Sequence, residues 1–122
     1  ARRRAMPVVM GAPNILRGGS HSGNVAAAKL VEQGLCDVLA SDYLPSTLLA
    51  AVFTLVDLGL SPLPAAVALV TSGPADLAGL ADRGRLVIGK RADLLLVALD
   101  GRWPRVTGAW RAAGPAFAGA AV

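Results

Sequence analysis

Histidine and cysteine each occur only once in this sequence of 122 residues, as His21 and Cys36. A zinc-type centre needs three or four protein ligands. One histidine, one cysteine and scattered aspartates therefore do not make a metal site, and any metal used here must take most of its ligands from outside these residues. A single cysteine also excludes a framework of internal disulfides and fits a reducing cytoplasm.

Charged and aromatic residues are also scarce, at 16% and 4%, whereas hydrophobic residues make up 54%. A typical soluble domain is about 25% charged, and a small one needs more polar surface. The composition predicts a piece from the interior of something larger, and a start at Ala1 fits a truncated or processed chain. The net charge of +4 could indicate nucleic acid, but the basic residues are dispersed and lack interleaved aromatics, which favours ordinary surface charges.

Long uninterrupted hydrophobic runs are missing as well. Residues 44–70 carry one charge, Asp57, but prolines and a glycine divide them into pieces shorter than the ~20 residues of a spanning helix. The basic start ARRRAM is not followed by the apolar region of a signal peptide. We therefore expect buried core helices, no membrane association and a cytoplasmic location.

The first part of the chain alternates predicted strands and helices. Residues 7–10 and 35–40 predict buried strands, separated by a loop over 11–24 and a helix over 25–33. Further helices are predicted over residues 45–58, 62–72 and 74–80. This alternation indicates parallel strands joined by crossover helices. Two such units cannot close a sheet, so they predict a slice of a doubly wound sheet or of a barrel.

The pattern changes after residue 82. Short runs separated by turn residues predict antiparallel strands over residues 86–88, 93–99, 105–110 and 115–117. We therefore predict two portions, residues 1–81 and residues 82–122, with the last residues frayed.

Asp42 is the first candidate for chemistry, because it directly follows the strand predicted over residues 35–40. Catalytic groups of βα architectures lie at the carboxyl ends of strands, and a carboxylate there can ligate a metal and accept a proton from water. The alternative is that Asp42 only caps the helix beginning at Pro45, and position alone does not decide between them. Asp37, next to Cys36 inside the strand, is expected to pair structurally.

The loop RGGSHSGN, residues 17–24, is the second candidate. Its glycines let the backbone approach a ligand, and Arg17 could bind a phosphate through two hydrogen bonds. The GK[ST] ending of a P-loop is absent, so the glycines alone are a weak signal. His21 could be a metal ligand, a phosphate donor or a loop residue satisfied by the backbone, and the residues around it leave this open.

Three stretches read together, MGAPNILRGGSHSGN, GLCDVLASDYLPSTLLAA and DRGRLVIGKRADLLLV, resemble the C-terminal third of the amidohydrolase superfamily. The first two resemble in particular its diphosphatases of phosphonate metabolism, in the carbon–phosphorus lyase pathway. The resemblance covers nearly the whole chain. The GKRADLL element identifies only the superfamily.

The resemblance implies the last two βα units of a (β/α)8 barrel, with residues 7–10 as the seventh strand and 35–40 as the eighth. Residues 82–122 would be C-terminal strands of a small β-sandwich. It implies that Asp42 is the catalytic residue that ligates a divalent metal, zinc or manganese, and handles the proton of the attacking water. Substrate-binding roles, individually unassigned, would fall to loop residues Arg17, Ser20, His21 and Asn24.

The implied reaction is metal-assisted attack of water on the 5-triphosphate of a phosphorylated ribose phosphonate, with release of pyrophosphate. The implied partner is this substrate. The composition argues against nucleic acid and membrane, and the sequence leaves open whether the protein forms a homo-oligomer. The superfamily's His-x-His, its bridging acid or carboxylated lysine and its later histidines are missing, so we expect this chain alone to be inactive. The alternatives are an amidohydrolase acting on a C–N bond, a cyclic amidase or deaminase, or a non-catalytic remnant.

Overall fold

The computed structural model describes residues 5–17, 27–112 and 114–118 as a mixed α/β arrangement. Within those ranges the elements, in chain order, are β1 (Val9–Gly11), α1 (Ala12–Arg17), α2 (Ala27–Glu32), β2 (Val38–Ala40), α3 (Thr47–Asp57), α4 (Leu63–Ala68), α5 (Ser72–Leu77), β3 (Leu94–Asp100), β4 (Trp103–Arg111) and β5 (Gly114–Ala118).

Strands β1 and β2 pair in parallel, as the alternation of strands and helices predicted. Val9 pairs with Val38 and Gly11 with Ala40, so both strands end at the same level. The backbone N–H of Val8 donates to the Asp37 carboxylate at 2.7 Å. Asp37 therefore pairs structurally, as expected, and helps to hold the start of β1 against the segment that leads into β2.

The prediction of a continuous loop over residues 11–24 is wrong for its first part, because α1 begins directly after β1. A proline in the first turn of a helix loses no hydrogen bond and already has a helical φ, and Pro13 takes such a place. Ala12, Pro13 and Ile15 are buried, and α1 lies against α3. Burial of this face outweighs the turn-forming character of the Gly-Ala-Pro-Asn sequence. Residues 18–24 lie outside the described ranges.

Helix α3 is the centre of the core. Thr47, Ala51, Val52 and Leu55 are its buried residues, and their spacing of about four places them on one face. Ala51 and Leu55 are completely buried. Leu58 ends the helix, and Gly59 follows at φ 69°, a left-handed conformation that glycine adopts at little cost.

The helices predicted over residues 62–72 and 74–80 have different bounds in the structure. Helix α4 ends at Ala68, and α5 already begins at Ser72. Gly73 explains how α5 approaches the first sheet. A Cβ at Gly73 would lie 2.4 Å from the Asp37 carbonyl oxygen and 2.9 Å from that of Ala68. Only a residue without a side chain permits this contact between backbones.

Strands β3, β4 and β5 form an antiparallel sheet in that order, which confirms the predicted meander. The strand predicted over residues 86–88 is wrong. Gly84 and Gly89, at φ 88° and 91°, turn the chain on either side of it. The Val87 carbonyl instead accepts a turn hydrogen bond from the Lys90 N–H at 3.1 Å. Ile88 is fully exposed.

Charged side chains hold the segment between α5 and β3. Arg85 binds the Asp76 carboxylate through two hydrogen bonds of 2.9 and 2.7 Å. Lys90 donates to the Ala81 carbonyl. Arg91 donates to Asp93 at 3.2 Å, and Asp93 in turn accepts a hydrogen bond from the backbone N–H of Ala112, directly after β4, at 3.0 Å. The GKRAD sequence therefore has a structural role, and the boundary near residue 82 remains a prediction.

No helix in the described ranges is both long enough and apolar enough to cross a bilayer.

We predict that Leu55→Ala lowers the free energy of unfolding by about 2–5 kcal/mol, because it leaves a cavity beneath α3. The matched control is Leu58→Ala, one turn further on. Leu58 is 58% exposed, so its truncation should cost less than about 0.5 kcal/mol. Urea unfolding followed by circular dichroism measures both. Equal effects of the two substitutions would contradict the packing described for α3.

We also predict that the ion pair between Asp76 and Arg85 stabilises the chain at neutral but not at acid pH. Hydrogen bonds from Arg85 hold the pKa of Asp76 below its ordinary value of 3.8. A lowered folded-state pKa stabilises above the unfolded value, and this contribution disappears as the pH falls through the folded-state value. The difference in thermal midpoint between the unchanged chain and Asp76→Asn should therefore shrink as the pH falls below 3.8 and disappear once the pH is below the folded-state pKa of Asp76.

Salt provides a second check, because the pair is exposed and mobile ions screen it. Molar salt at pH 7 should also shrink the difference. Asp100→Asn is the control, since Asp100 is an exposed carboxylate at the end of β3. A difference for Asp76→Asn that persists at low pH would show that something other than charge is responsible.

Candidate active site

The carboxyl ends of β1 and β2 form one edge of the first sheet. Their register pairs Gly11 with Ala40 at that edge. Chain segments that follow parallel strands converge at the carboxyl ends, where α/β enzymes hold their catalytic groups. Helix α1 follows β1 immediately, and the sequence Ser41-Asp42-Tyr43 follows β2. The parallel pairing thus brings together two segments about thirty residues apart.

Asp42 adopts a left-handed backbone conformation, with φ 55°. Such a conformation is uncommon outside glycine, and aspartate and asparagine tolerate it best. A Cβ placed on Gly11 would lie 3.3 Å from the Asp42 carboxylate oxygen Oδ2 and 3.4 Å from the amide nitrogen of Asn14. The carboxylate therefore extends over the end of β1, and the absence of a side chain at Gly11 makes room for it.

The alternative role of Asp42, as a helix cap, is not what the structure contains. The N-cap of α3 is Ser46, and no side chain caps this helix end by a hydrogen bond. The Thr47 hydroxyl instead donates to the Leu44 carbonyl at 2.6 Å. Asp42 lies upstream of this cap and is exposed. Its carboxylate is thus available to a ligand at the carboxyl edge of the sheet.

Arg17, the last residue of α1, reaches across to the segment that follows β2. Its guanidinium Nη2 donates to the Tyr43 hydroxyl. The guanidinium carbon also lies 5.5 Å from the centre of the tyrosine ring, within the range of a cation–π contact. Arg17, which is predicted to bind substrate, therefore contacts Tyr43 directly. Tyr43 follows Asp42, the predicted catalytic residue.

The donor set tests whether a metal fits here. The part of the chain that the structure describes holds no cluster of three or more histidine, cysteine, aspartate or glutamate side chains. Asp42 can supply one carboxylate, whereas zinc sites use three or four protein ligands. Asp42 could therefore donate one ligand to a metal ion, but the described residues do not form a complete metal site.

The other predicted substrate-binding residues, Ser20, His21 and Asn24, lie outside the described ranges. Sequence reasoning missed the contributions of Gly11, Asn14 and Tyr43. Tyr43 carried a signal, as the single tyrosine of the chain directly after the candidate carboxylate. Gly11 and Asn14 carried none beyond their place in a presumed loop, because their relation to Asp42 depends on the pairing of β1 with β2.

Comparison with known proteins agrees with the resemblance noted from the motifs. No protein-family profile matches the chain. The chain is 50% identical, over 113 residues, to the Escherichia coli (strain K12) protein named alpha-D-ribose 1-methylphosphonate 5-triphosphate diphosphatase. The match covers 91% of this chain and 30% of that relative. The resemblance to the phosphonate-metabolism diphosphatases is thus confirmed, for a chain that spans about a third of the relative's length.

We predict that the left-handed turn makes stability at position 42 depend on side-chain shape more than on charge. Asp42→Asn should leave the free energy of unfolding within about 0.5 kcal/mol of its original value, because asparagine tolerates positive φ. Asp42→Val should lower it by about 1–2 kcal/mol, because a β-branched residue clashes with its own backbone there. Urea unfolding compares the two, and equal stability would argue against the turn.

Proposed function

We propose that this chain is the C-terminal part of a metal-dependent diphosphatase of phosphonate metabolism. The substrate would be α-D-ribose 1-methylphosphonate 5-triphosphate, with the 5-phosphate and pyrophosphate as products. The proposal depends chiefly on one observation: a sequence 50% identical to the diphosphatase places an exposed, left-handed aspartate, Asp42, two residues after the end of its second strand. Function is transferred from a relative of which the chain covers 30%.

The proposed architecture follows from the parallel pair. Strands β1 and β2 would be the seventh and eighth strands of a (β/α)8 barrel of the amidohydrolase type, and β3 to β5 would belong to a small sandwich. Adjacent parallel strands joined through helices are the repeating unit of such a barrel. Cys36 is buried and forms no disulfide bond within the described residues, which is consistent with a cytoplasmic enzyme.

Asp42 would have two tasks in the reaction. It would ligate a divalent metal, whose other ligands come from outside this chain, and it would take the proton of the attacking water. When bound, the metal supplies electrophilic stabilisation of the phosphate oxygens and lowers the pKa of water. The oxygen of that water forms a bond to the α-phosphorus of the 5-triphosphate, the phosphorus of that group nearest the ribose. The bond from that phosphorus to the bridging oxygen breaks, and pyrophosphate leaves.

Arg17 would bind phosphate oxygens of the same substrate. A guanidinium is always charged and presents planar pairs of N–H donors that match phosphate oxygens. Arg17 lies at the same edge as Asp42, since its side chain contacts Tyr43. Ser20, His21 and Asn24 follow it in the chain and are proposed to contact the substrate as well.

We predict that Asp42→Asn in the full-length enzyme lowers pyrophosphate release by a factor of about 10²–10⁴, the range typical of losing a positioned acid or base. The substitution keeps the turn and removes the negative charge. Asp57→Asn, at the far end of α3, is the control and should retain activity. Chelation of divalent metal should abolish activity in all of these proteins.

Two results would contradict the proposal. The first is substantial pyrophosphate release by the full-length Asp42→Asn enzyme. The second is pyrophosphate release by the 122-residue chain alone, which would contradict the proposal that the remaining metal ligands come from outside this chain. Activity on a cyclic amide, without activity on the triphosphate, would instead assign the protein to C–N bond hydrolysis.

A further inference from the structure

Tyr43 joins the two strand–helix units at the carboxyl edge of the first sheet. Its hydroxyl accepts a hydrogen bond from Arg17, and the two residues are 26 positions apart in the chain. One lies at the end of α1 and the other follows β2. The contact is therefore tertiary, and it connects the Arg17 side of the edge directly to the residue after Asp42.

The left-handed turn at Asp42 explains why the side chains of Asp42 and Tyr43 both face the β1–α1 unit. In an extended chain successive side chains point to opposite sides. At φ 55° the chain leaves that alternation. The Asp42 carboxylate then extends over Gly11, while the Tyr43 hydroxyl meets Arg17. The turn thus brings the proposed catalytic carboxylate and Tyr43 together onto the β1–α1 unit.

We propose that Tyr43 is a positioning residue that orients the Arg17 guanidinium for a phosphate group of the substrate. This inference rests on the proposed function. A guanidinium has five N–H donors in a planar fork, so one bond to Tyr43 leaves the others available for phosphate oxygens. The tyrosine hydroxyl is neutral, and it holds the guanidinium without cancelling its charge as a carboxylate would.

Exposure at the site is consistent with this role. Tyr43 is 59% exposed and Arg17 is also exposed, so a ligand can reach the pair. Exposed polar contacts contribute little to folding stability. A free arginine side chain, however, samples many rotamers and must be ordered when it binds. Orientation by Tyr43 before binding reduces that loss.

The test uses the full-length enzyme and the triphosphate substrate. Tyr43→Phe keeps the ring and removes only the hydroxyl. We expect it to lower kcat/KM about threefold to tenfold, mainly by raising KM, because binding rather than bond breaking is weakened. Tyr43→Leu removes the ring as well and should lower kcat/KM further. The thermal midpoint of Tyr43→Phe should equal that of the unchanged enzyme.

A double-mutant cycle separates positioning from an independent role. If Tyr43 acts through Arg17, then Tyr43→Phe should cause no further loss in an Arg17→Ala enzyme. The inference would be overturned if Tyr43→Phe lowered kcat/KM by the same factor with and without Arg17, or if Tyr43→Phe had no effect at all. If Arg17→Ala has no effect while Asp42→Asn is inactive, the inference fails and the proposed function stands. An Asp42→Asn enzyme that still hydrolyses the triphosphate contradicts the role proposed for Asp42, and an unchanged enzyme that does not hydrolyse it contradicts the proposed function itself.

A second readout does not depend on activity. In the full-length enzyme with ¹³C-labelled tyrosine rings, the NMR signals that disappear in Tyr43→Phe belong to Tyr43, the only tyrosine of these 122 residues. Arg17→Ala should shift these signals, whereas Arg102→Ala should not. Arg102 is a matched control because it lies over a different ring, that of Trp103, at 5.3 Å. Unchanged signals in Arg17→Ala would overturn the contact and the inference with it.

Discussion

The parallel pairing of β1 with β2 is the interaction on which the rest of the structure depends. It sets Gly11 beside Ala40, and it thereby decides which loop residues can meet. A shift of one residue would turn each side chain of the strand to the opposite face. The hydrogen bond from Val8 to Asp37 supports this register from the amino end. The relation of Asp42 to Gly11 follows from it.

Helix packing supports the same edge from one side. The buried face of α3 lies against α1, and each of these helices follows one of the two paired strands. Because the core beneath them is closely packed, the ends of the strands keep a constant relation to the helices. Two glycines contribute to this arrangement because they have no side chain. Gly11 leaves room for a carboxylate, and Gly73 lets α5 meet backbone atoms.

The candidate site combines charges of both signs at one edge of the first sheet. Asp42 supplies negative charge and Arg17 positive charge at one edge, as a reaction on a phosphate ester would require. Tyr43 connects the two without adding charge. The described residues do not complete a metal centre. The geometry of the described residues therefore specifies only what their own side chains contribute to this edge of the sheet.

Much of the fold was predictable from local patterns. The alternation of apolar strands and helices predicted parallel pairing, and the turn-rich second half predicted the meander, because hydrophobic periodicity reports burial directly. Two predictions of element type were wrong. Residues 12–17 form a helix because burial against α3 outweighs turn propensity. Residues 86–88 are no strand because the flanking glycines turn the chain and a turn hydrogen bond uses the Val87 carbonyl.

The sequence by itself determined the resemblance, the candidate Asp42 and its place after a strand, since these depend only on residue type and order. It left the choice between ligand and helix cap open. The tertiary structure excludes the cap, because Ser46 and not Asp42 occupies that position. It alone also brought Tyr43 to Arg17 and Asp42 to Gly11. The physical reason is that such contacts depend on strand register and on a left-handed φ, and neither follows from local sequence.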